Sequence, residues 1–211
     1  LEPIFINDKN VERLKNLRTL CPHFHLSLQS GSDDILRAMN RHYTTAEVSD
    51  AVDRLRAAFD VVSVTTDIIT GFPTETEENH KQSLEFAKKI GFAKIHVFPF
   101  SPRKGTRAYD MKEQVPHDIK KRRTAEMLEV AKESDAFYSA KVGKVVSVLF
   151  EHRKDDLFTG LTPDYAEVGV KTDCDLTNKI LTAKIISSRG ESCLGELLEN
   201  GGKDFGEEKG I

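Results

Sequence analysis

Gly71-Phe72-Pro73 follows directly on an apolar run that carries a carboxylate, Asp67, within it. Glycine lets backbone approach a ligand closely, and proline stiffens the turn. A carboxylate inside an apolar strand needs a partner, either a ligand or a neighbouring backbone group. Gln29-Ser30-Gly31-Ser32 offers amide and hydroxyl groups suited to a polar small molecule, and Ser32 equally suits a helix N-cap. Arg41, in Arg41-His42-Tyr43, has the fork that grips a carboxylate in two places; its alternative is a plain surface position. A third apolar run ends in Phe98-Pro99-Phe100, followed by Arg103, Lys104, Gly105-Thr106 and Arg107. Lys120-Lys121-Arg122-Arg123 forms a second basic cluster. Either cluster could meet phosphates, although a charge run on a helix is usually a solvated face. Alternation places His23 and His25 on one face, with His96 on a later strand, but the spacing supplies no third ligand for a metal.

The elements that must position these residues follow from periodicity. Residues 23–29 alternate strictly, with Phe24, Leu26 and Leu28 on one face. Ser32, Asp33 and Asp34 cap a short helix through Met39. Thr44 with Glu47 forms a capping box for a helix whose apolar face runs from Val48 to Phe59. A strand from Val61 to Ile69 follows, then a helix capped by Thr74 with Glu77 and stopped by Gly91, then a strand from Ala93 to Phe100. This β/α alternation predicts a parallel sheet, whose ligands sit just beyond the carboxyl ends of the strands. Two such ends, Thr66–Glu78 and His96–Thr106, point to one shared site. A long amphipathic helix is expected from His117 to Val142, closing a first domain of residues 1–142. From Gly143, short strands around Lys144–Glu151, Tyr165–Val170 and Lys179–Ser187 predict a small barrel-like all-β unit over residues 143–199. The Gly-, Lys- and Glu-rich tail, 200–211, is expected to be disordered.

Bulk properties narrow the function classes. The 211 residues carry a net charge of −3, which gives no general pull on nucleic acid. Residues 141–199 hold eight Lys or Arg against ten Asp or Glu, so any RNA contact there would be local. Cys21, Cys174 and Cys193 are scattered and odd in number, which points to a reducing, cytoplasmic setting without a disulfide framework. No apolar run reaches the ~18 residues of a membrane span. The chain begins Leu1-Glu2-Pro3, without Met or a leader, and reads as a piece of something longer.

Taken together, the segments resemble the radical S-adenosylmethionine methylthiotransferases. The matching stretches are Leu1-Glu2-Pro3, His25 to Ser32, Met39 to Thr44, Thr66 to Glu78 and His96 to Thr106, in the family's order and spacing. Residues 143–197, with Val-Leu-Phe-Glu, Gly-Leu-Thr-Pro-Asp-Tyr and Leu-Gly-Glu, resemble the family's C-terminal TRAM domain. Gly91 to Phe100 and Met111 to Val115 are most similar to the branch that acts on threonylcarbamoyladenosine in tRNA. Sister branches act on isopentenyladenosine in tRNA or on an aspartate of ribosomal protein S12.

The resemblance implies an α/β fold, the second half of a partial (β/α)6 barrel followed by a small TRAM-like barrel. It implies S-adenosylmethionine and 4Fe-4S clusters in the full-length protein, with methylthiolation at C2 of the adenosine at position 37, and hence the tRNA anticodon loop as partner. It implies that Gln29 and Ser30 face the ribose and methionine end of the cofactor and that Arg41 holds its carboxylate. Ile69 and Gly71 would pass beside the adenine, with backbone at Phe98 reading its edge. Two departures stand out. The family's Cys-x-x-x-Cys-x-x-Cys motif is absent from the sequence, so this chain alone is expected to be inactive. The Gly-x-Ile-x-Gly-x-x-Glu pattern is met at Ile69 and Gly71, but its first glycine is Asp67 and its acid falls one place late, at Glu75. Rival readings are a non-catalytic RNA-binding module and a complete small β/α ligand-binding protein. A half-barrel would leave a bare strand edge, so self-association through that edge, or cover from another element, is also expected.

Overall fold

A computed structural model describes residues 1–132 and 135–198; the tail predicted to be disordered lies outside the described residues. The chain divides into two compact units between Phe137 and Tyr138, rather than after residue 142. No helix among the described residues is long and apolar enough to cross a membrane.

The first unit is a parallel sheet of three strands in the order β1 (His23–Gln29), β2 (Ser63–Thr70) and β3 (Lys94–Pro99). Its helices are α1 (Asp8–Lys15), α2 (Asp33–Ala38), α3 (Thr45–Ala58), α4 (Glu77–Ile90), α5 (Arg107–Asp110) and α6 (His117–Lys132). The core is built from the apolar faces that alternation and helical spacing dictate. Leu26, Leu28, Ile68, Val48, Val52, Leu55, Ile90 and Met127 are among its buried members. Thr44 and Glu47 form the expected capping box on α3. On α4 the box is Thr76 with Asn79 instead of Thr74 with Glu77. The turn after β2 runs two residues longer than expected, because Glu75 points inward and Thr74 donates its N–H to the Glu113 carbonyl. Ser32 occupies the N-cap position of α2 without capping it, and its hydroxyl donates to Gln82. The long helix is described as α6 and, beyond residues 133–134, a short α7 (Asp135–Ser139).

One outer edge of the sheet is partly paired. The Leu1 amino group donates to the His25 carbonyl at 2.6 Å, and the Ser27 N–H donates back to Leu1 at 2.9 Å. At the other edge, β3 ends in Pro99, which has no N–H to offer a further strand.

A buried ion pair fixes α6 to the turn after β2. Arg123 and Glu75 have side chains 4% and 2% exposed and meet at 2.8 Å. Arg123 also donates to the Glu75 carbonyl at 2.8 Å and to Glu77 at 2.9 Å, while Glu75 accepts the Gly71 N–H at 2.9 Å. Burial pushes the Glu75 carboxyl up; the Gly71 N–H and Arg123 pull it back. His80, also buried, sits 2.8 Å from Glu126 of α6, and burial lowers its imidazole pKa.

The second unit is a closed five-stranded barrel. Its strands, β4 (Val145–Lys154), β5 (Leu157–Leu161), β6 (Glu167–Lys171), β7 (Lys179–Arg189) and β8 (Ser192–Leu197), are ordered β4-β5-β6-β8-β7. Only β6 and β8 pair in parallel. Val148, Phe150, Phe158, Val168, Val170, Ala183, Ile185 and Cys193 fill the interior. Lys141 and Asp164, both buried, form an ion pair inside this unit, and Thr162 donates to the same carboxylate at 2.6 Å. β5 and β8 were not anticipated as strands. Each carries a glycine, Gly160 or Gly195, that reads as a turn signal in sequence but here marks a close approach of neighbouring strands.

Two outcomes are expected. A Cβ at Gly160 would lie 2.1 Å from the Leu149 carbonyl oxygen, which is backbone and cannot yield, whereas at Gly169 the nearest atom is a Leu157 methyl at 3.1 Å. Gly160→Ala should therefore cost more than about 2 kcal/mol and Gly169→Ala clearly less. Hydrogen exchange should show the loss of protection confined to β4–β8, and equal effects of the two variants would refute the packing argument. Arg123→Met should destabilise the first unit by about 3–5 kcal/mol, since it strands a buried carboxylate. Adding Glu75→Gln should restore part of that loss in urea unfolding monitored by exchange at β2; strictly additive losses would show the two residues to be uncoupled.

Candidate functional site

Side chains alternate across the sheet, and the parallel register sets which ones meet. His23, His25 and Ser27 of β1, Thr65, Asp67 and Ile69 of β2, and His96 and Phe98 of β3 share the face opposite the core. Asp67 pairs in register with His96, and Ile69 with Phe98. The partner that Asp67 requires is His25, whose Nε2 is 3.3 Å from Asp67 Oδ2. His25 Nδ1 lies 3.1 Å from Thr65 Oγ1, and its ring centroid is 6.1 Å from that of His96. His23 Nδ1 meets Ser63 Oγ at 2.7 Å. Among the described residues no three His, Cys, Asp or Glu side chains are placed to hold a metal ion.

The face thus has two layers. A polar layer of His25, Asp67 and His96 lies lower in the sheet. Towards the strand ends comes an apolar shelf of Ile69 and Phe98, the latter 50% exposed. A half-exposed aromatic ring suits the flat side of a planar ligand, and a carboxylate beside it accepts N–H donors from that ligand's edge. Phe98 contributes its ring. Beside it, the Phe100 N–H donates to the Thr70 carbonyl at 2.8 Å, in keeping with the parallel register of Thr70 with Pro99.

Unusual backbone gathers where these strands end. Gln29 (φ +70°), Gly71 (φ +72°) and Thr74 (φ +72°) are all left-handed. That conformation is costly for a β-branched residue such as Thr74, and strain of this kind concentrates at functional sites. The Gln29 amide has no partner among the described residues and is open to a ligand. A Cβ at Gly71 would come 2.3 Å from Lys120 Cγ, so the turn and α6 approach too closely for a side chain there.

Ser30 departs from expectation. It is 1% exposed; its hydroxyl accepts the Ser32 N–H at 3.2 Å and lies 3.3 Å from Ser83 Oγ. Its role is to anchor the turn on α4, and no surface remains for a cofactor. Arg41 is brought beside the end of β1 by Tyr43, whose hydroxyl donates to the Ser27 carbonyl. One Arg41 nitrogen meets Glu2 at 3.3 Å, leaving other donors of its fork for a carboxylate.

The basic cluster on α6 is largely internal. Lys120 donates to the Phe100 carbonyl at 3.3 Å and sits 5.4 Å from that ring's centroid, Arg122 bridges Glu77 and Glu126, and Arg123 is buried. Lys121 is exposed, as is Arg122 despite its two ion pairs, and so are Arg103, Lys104 and Arg107 after β3. The Glu75–Arg123 pair was not foreseen. The available signal was helical spacing: Arg123 shares a face with Met127, Val130 and Ala131, all buried.

Residues 2–87 match the Radical SAM superfamily. A tRNA-2-methylthio-N(6)-dimethylallyladenosine synthase of Lachnoclostridium phytofermentans is 34% identical over 202 residues, covering 94% of this chain and 44% of the relative. A threonylcarbamoyladenosine tRNA methylthiotransferase of Thermotoga maritima is 37% identical over 201 residues, covering 92% and 45%. The chain thus spans less than half the length of these curated relatives. Among solved structures, the radical SAM enzyme coproporphyrinogen III oxidase of Escherichia coli aligns with a TM-score of 0.56 at 12% identity, over 94% of this chain and 50% of that one; the likeness is one of fold alone. Residues 2–87 are thus similar to the Radical SAM superfamily, and nearly the whole chain is similar to part of the tRNA methylthiotransferases.

Proposed function

We propose that this chain is the part of a tRNA methylthiotransferase that presents the cofactor's adenine side and the C-terminal RNA-contacting barrel. The observation that carries the reading is the open sheet face, with Ile69, Gly71 and Phe98 at its strand ends, inside a segment similar to such enzymes over more than nine-tenths of its length. The residues fit S-adenosylmethionine. The Ile69–Phe98 shelf suits the adenine, the free Gln29 amide suits the ribose hydroxyls, and the Arg41 fork suits the carboxylate. When bound, S-adenosylmethionine supplies radical chemistry at C2 of the adenosine. The Asp67–His25 pair keeps a fixed acceptor beside the shelf, and the Glu75-held turn keeps Gly71 backbone at its rim.

The residues do not fit a 4Fe-4S cluster. Cys21 and Cys174 are exposed and isolated, Cys193 lies inside the barrel, and no step is assigned to a cluster on this chain. Catalysis is therefore proposed for the longer protein, with this chain alone inactive. The barrel is read as its TRAM domain, the setting as cytoplasmic and the partner as the tRNA anticodon loop. Self-association through the remaining open edge of the sheet belongs to the same reading. Threonylcarbamoyladenosine is the proposed substrate, on the residues of Gly91 to Phe100; isopentenyladenosine is the alternative.

The test is nucleoside mass spectrometry of tRNA from cells that lack their own methylthiotransferases and express the full reading frame containing this chain. The 2-methylthio derivative of threonylcarbamoyladenosine is expected. The isopentenyl derivative would shift the substrate to the alternative, and no methylthiolated nucleoside would overturn the proposal. Purified alone, the chain should release no 5′-deoxyadenosine from S-adenosylmethionine and a reductant.

A further inference from the structure

Beyond the sheet face, one groove in the first unit has a chemistry that the proposed reaction does not use. It lies between the segment leaving β3 and the outward face of α6, with a volume of about 610 Å³. Phe100 and Pro102 form one wall. His117, Lys121 and Leu128 of α6, at helical spacing, form the other. Leu128 is 44% exposed, an apolar side chain left in water on a helix whose other face is well packed. The Phe100 ring is held edge-on against Phe72, with centroids 5.1 Å apart. Lys120 braces it from α6 and packs against Gly71, so the groove adjoins the end of β2.

Its rim is mainly basic. Among the described residues no carboxylate lines the groove. Of the acids of α6, Glu126 pairs with His80 and Arg122 and Glu129 with Lys132, while Asp118 stands exposed in the first turn beside His117. His117 and Lys121 are exposed, and Arg103, Lys104 and Arg107 stand exposed on the segment just beyond Pro102. An aromatic ring fixed in an apolar slot, with Lys121 at its rim and Arg103, Lys104 and Arg107 beyond it, is an arrangement that takes single-stranded nucleic acid. Bases stack on the ring, and phosphates lie along the cations.

We propose that this groove binds a single-stranded segment of RNA, one base against Phe100 and the flanking phosphates at Lys121 and His117. The choice of RNA over other anionic chains rests on the proposed function. The groove would then hold nucleotides beside the end of the sheet, outside the cofactor-facing shelf.

The experiment is fluorescence anisotropy of a labelled, unstructured RNA decamer titrated into the chain without S-adenosylmethionine, at several salt concentrations. It reads binding alone, so it can fail while the modification test succeeds, and the reverse. Binding should weaken with salt. Lys121→Ala should lower affinity several-fold and reduce the salt slope by about one. Phe100→Leu, which keeps the slot apolar, should cost about tenfold and leave the slope unchanged. Lys9→Ala, at an exposed position on α1 remote from the groove, should change neither. Absence of binding would overturn the proposal. So would wild-type affinity in both Lys121→Ala and Phe100→Leu, and so would equal competition by tripolyphosphate or polyglutamate, which would leave only an unspecific cationic patch.

Discussion

The carboxylate of Glu75 and the guanidinium of Arg123 are buried together, and each charge would be severely destabilising without the other. Their meeting at 2.8 Å does more than satisfy them. The second interaction of Glu75, with the Gly71 N–H, fixes the left-handed turn where β2 ends. Arg123 fixes the position of α6, which in turn delivers Lys120 against Gly71 and Phe100. The rim of the sheet face and one wall of the adjoining groove therefore derive from a single buried pair. Such a pair adds little net stability over an apolar replacement, but it tolerates only one arrangement of the turn and helix.

The sheet face is ordered by a different constraint, the register of three parallel strands. Register puts Asp67 next to His96 and Ile69 next to Phe98, and the His25 ring, held between Thr65 and Asp67, completes a polar layer beneath an apolar one. The same alternation sends Leu26, Leu28 and Ile68 into the core. Core and site are thus opposite faces of the same strands, and slipping the register by one residue would exchange them.

Much of this was legible in the sequence because it depends on period and on local chemistry. Strict alternation in residues 23–29 gave β1 and both of its faces, and Thr44 with Glu47 marked the start of α3. The need of Asp67 for a partner was foreseen; the identity of His25 was not, because the contact lies across strands and depends on register. Ser30 looked like a ligand group because its hydroxyl was counted without its surroundings, and burial against α4 consumes it. Arg123 was hidden in a run of four cations, where residue type argues for solvent and only helical phase argues for the core. β5 and β8 were obscured by Gly160 and Gly195, which imitate turns in sequence while permitting strand contact in the barrel.

The strand ends of the sheet are the surface proposed to meet S-adenosylmethionine. Hydrogen–deuterium exchange of the full reading-frame protein, with and without S-adenosylmethionine, addresses that most directly. It predicts new protection at Gln29 and across Gly71 to Glu75, with β4–β8 unchanged. Unchanged exchange at both turns, or protection confined to the barrel strands, would contradict it.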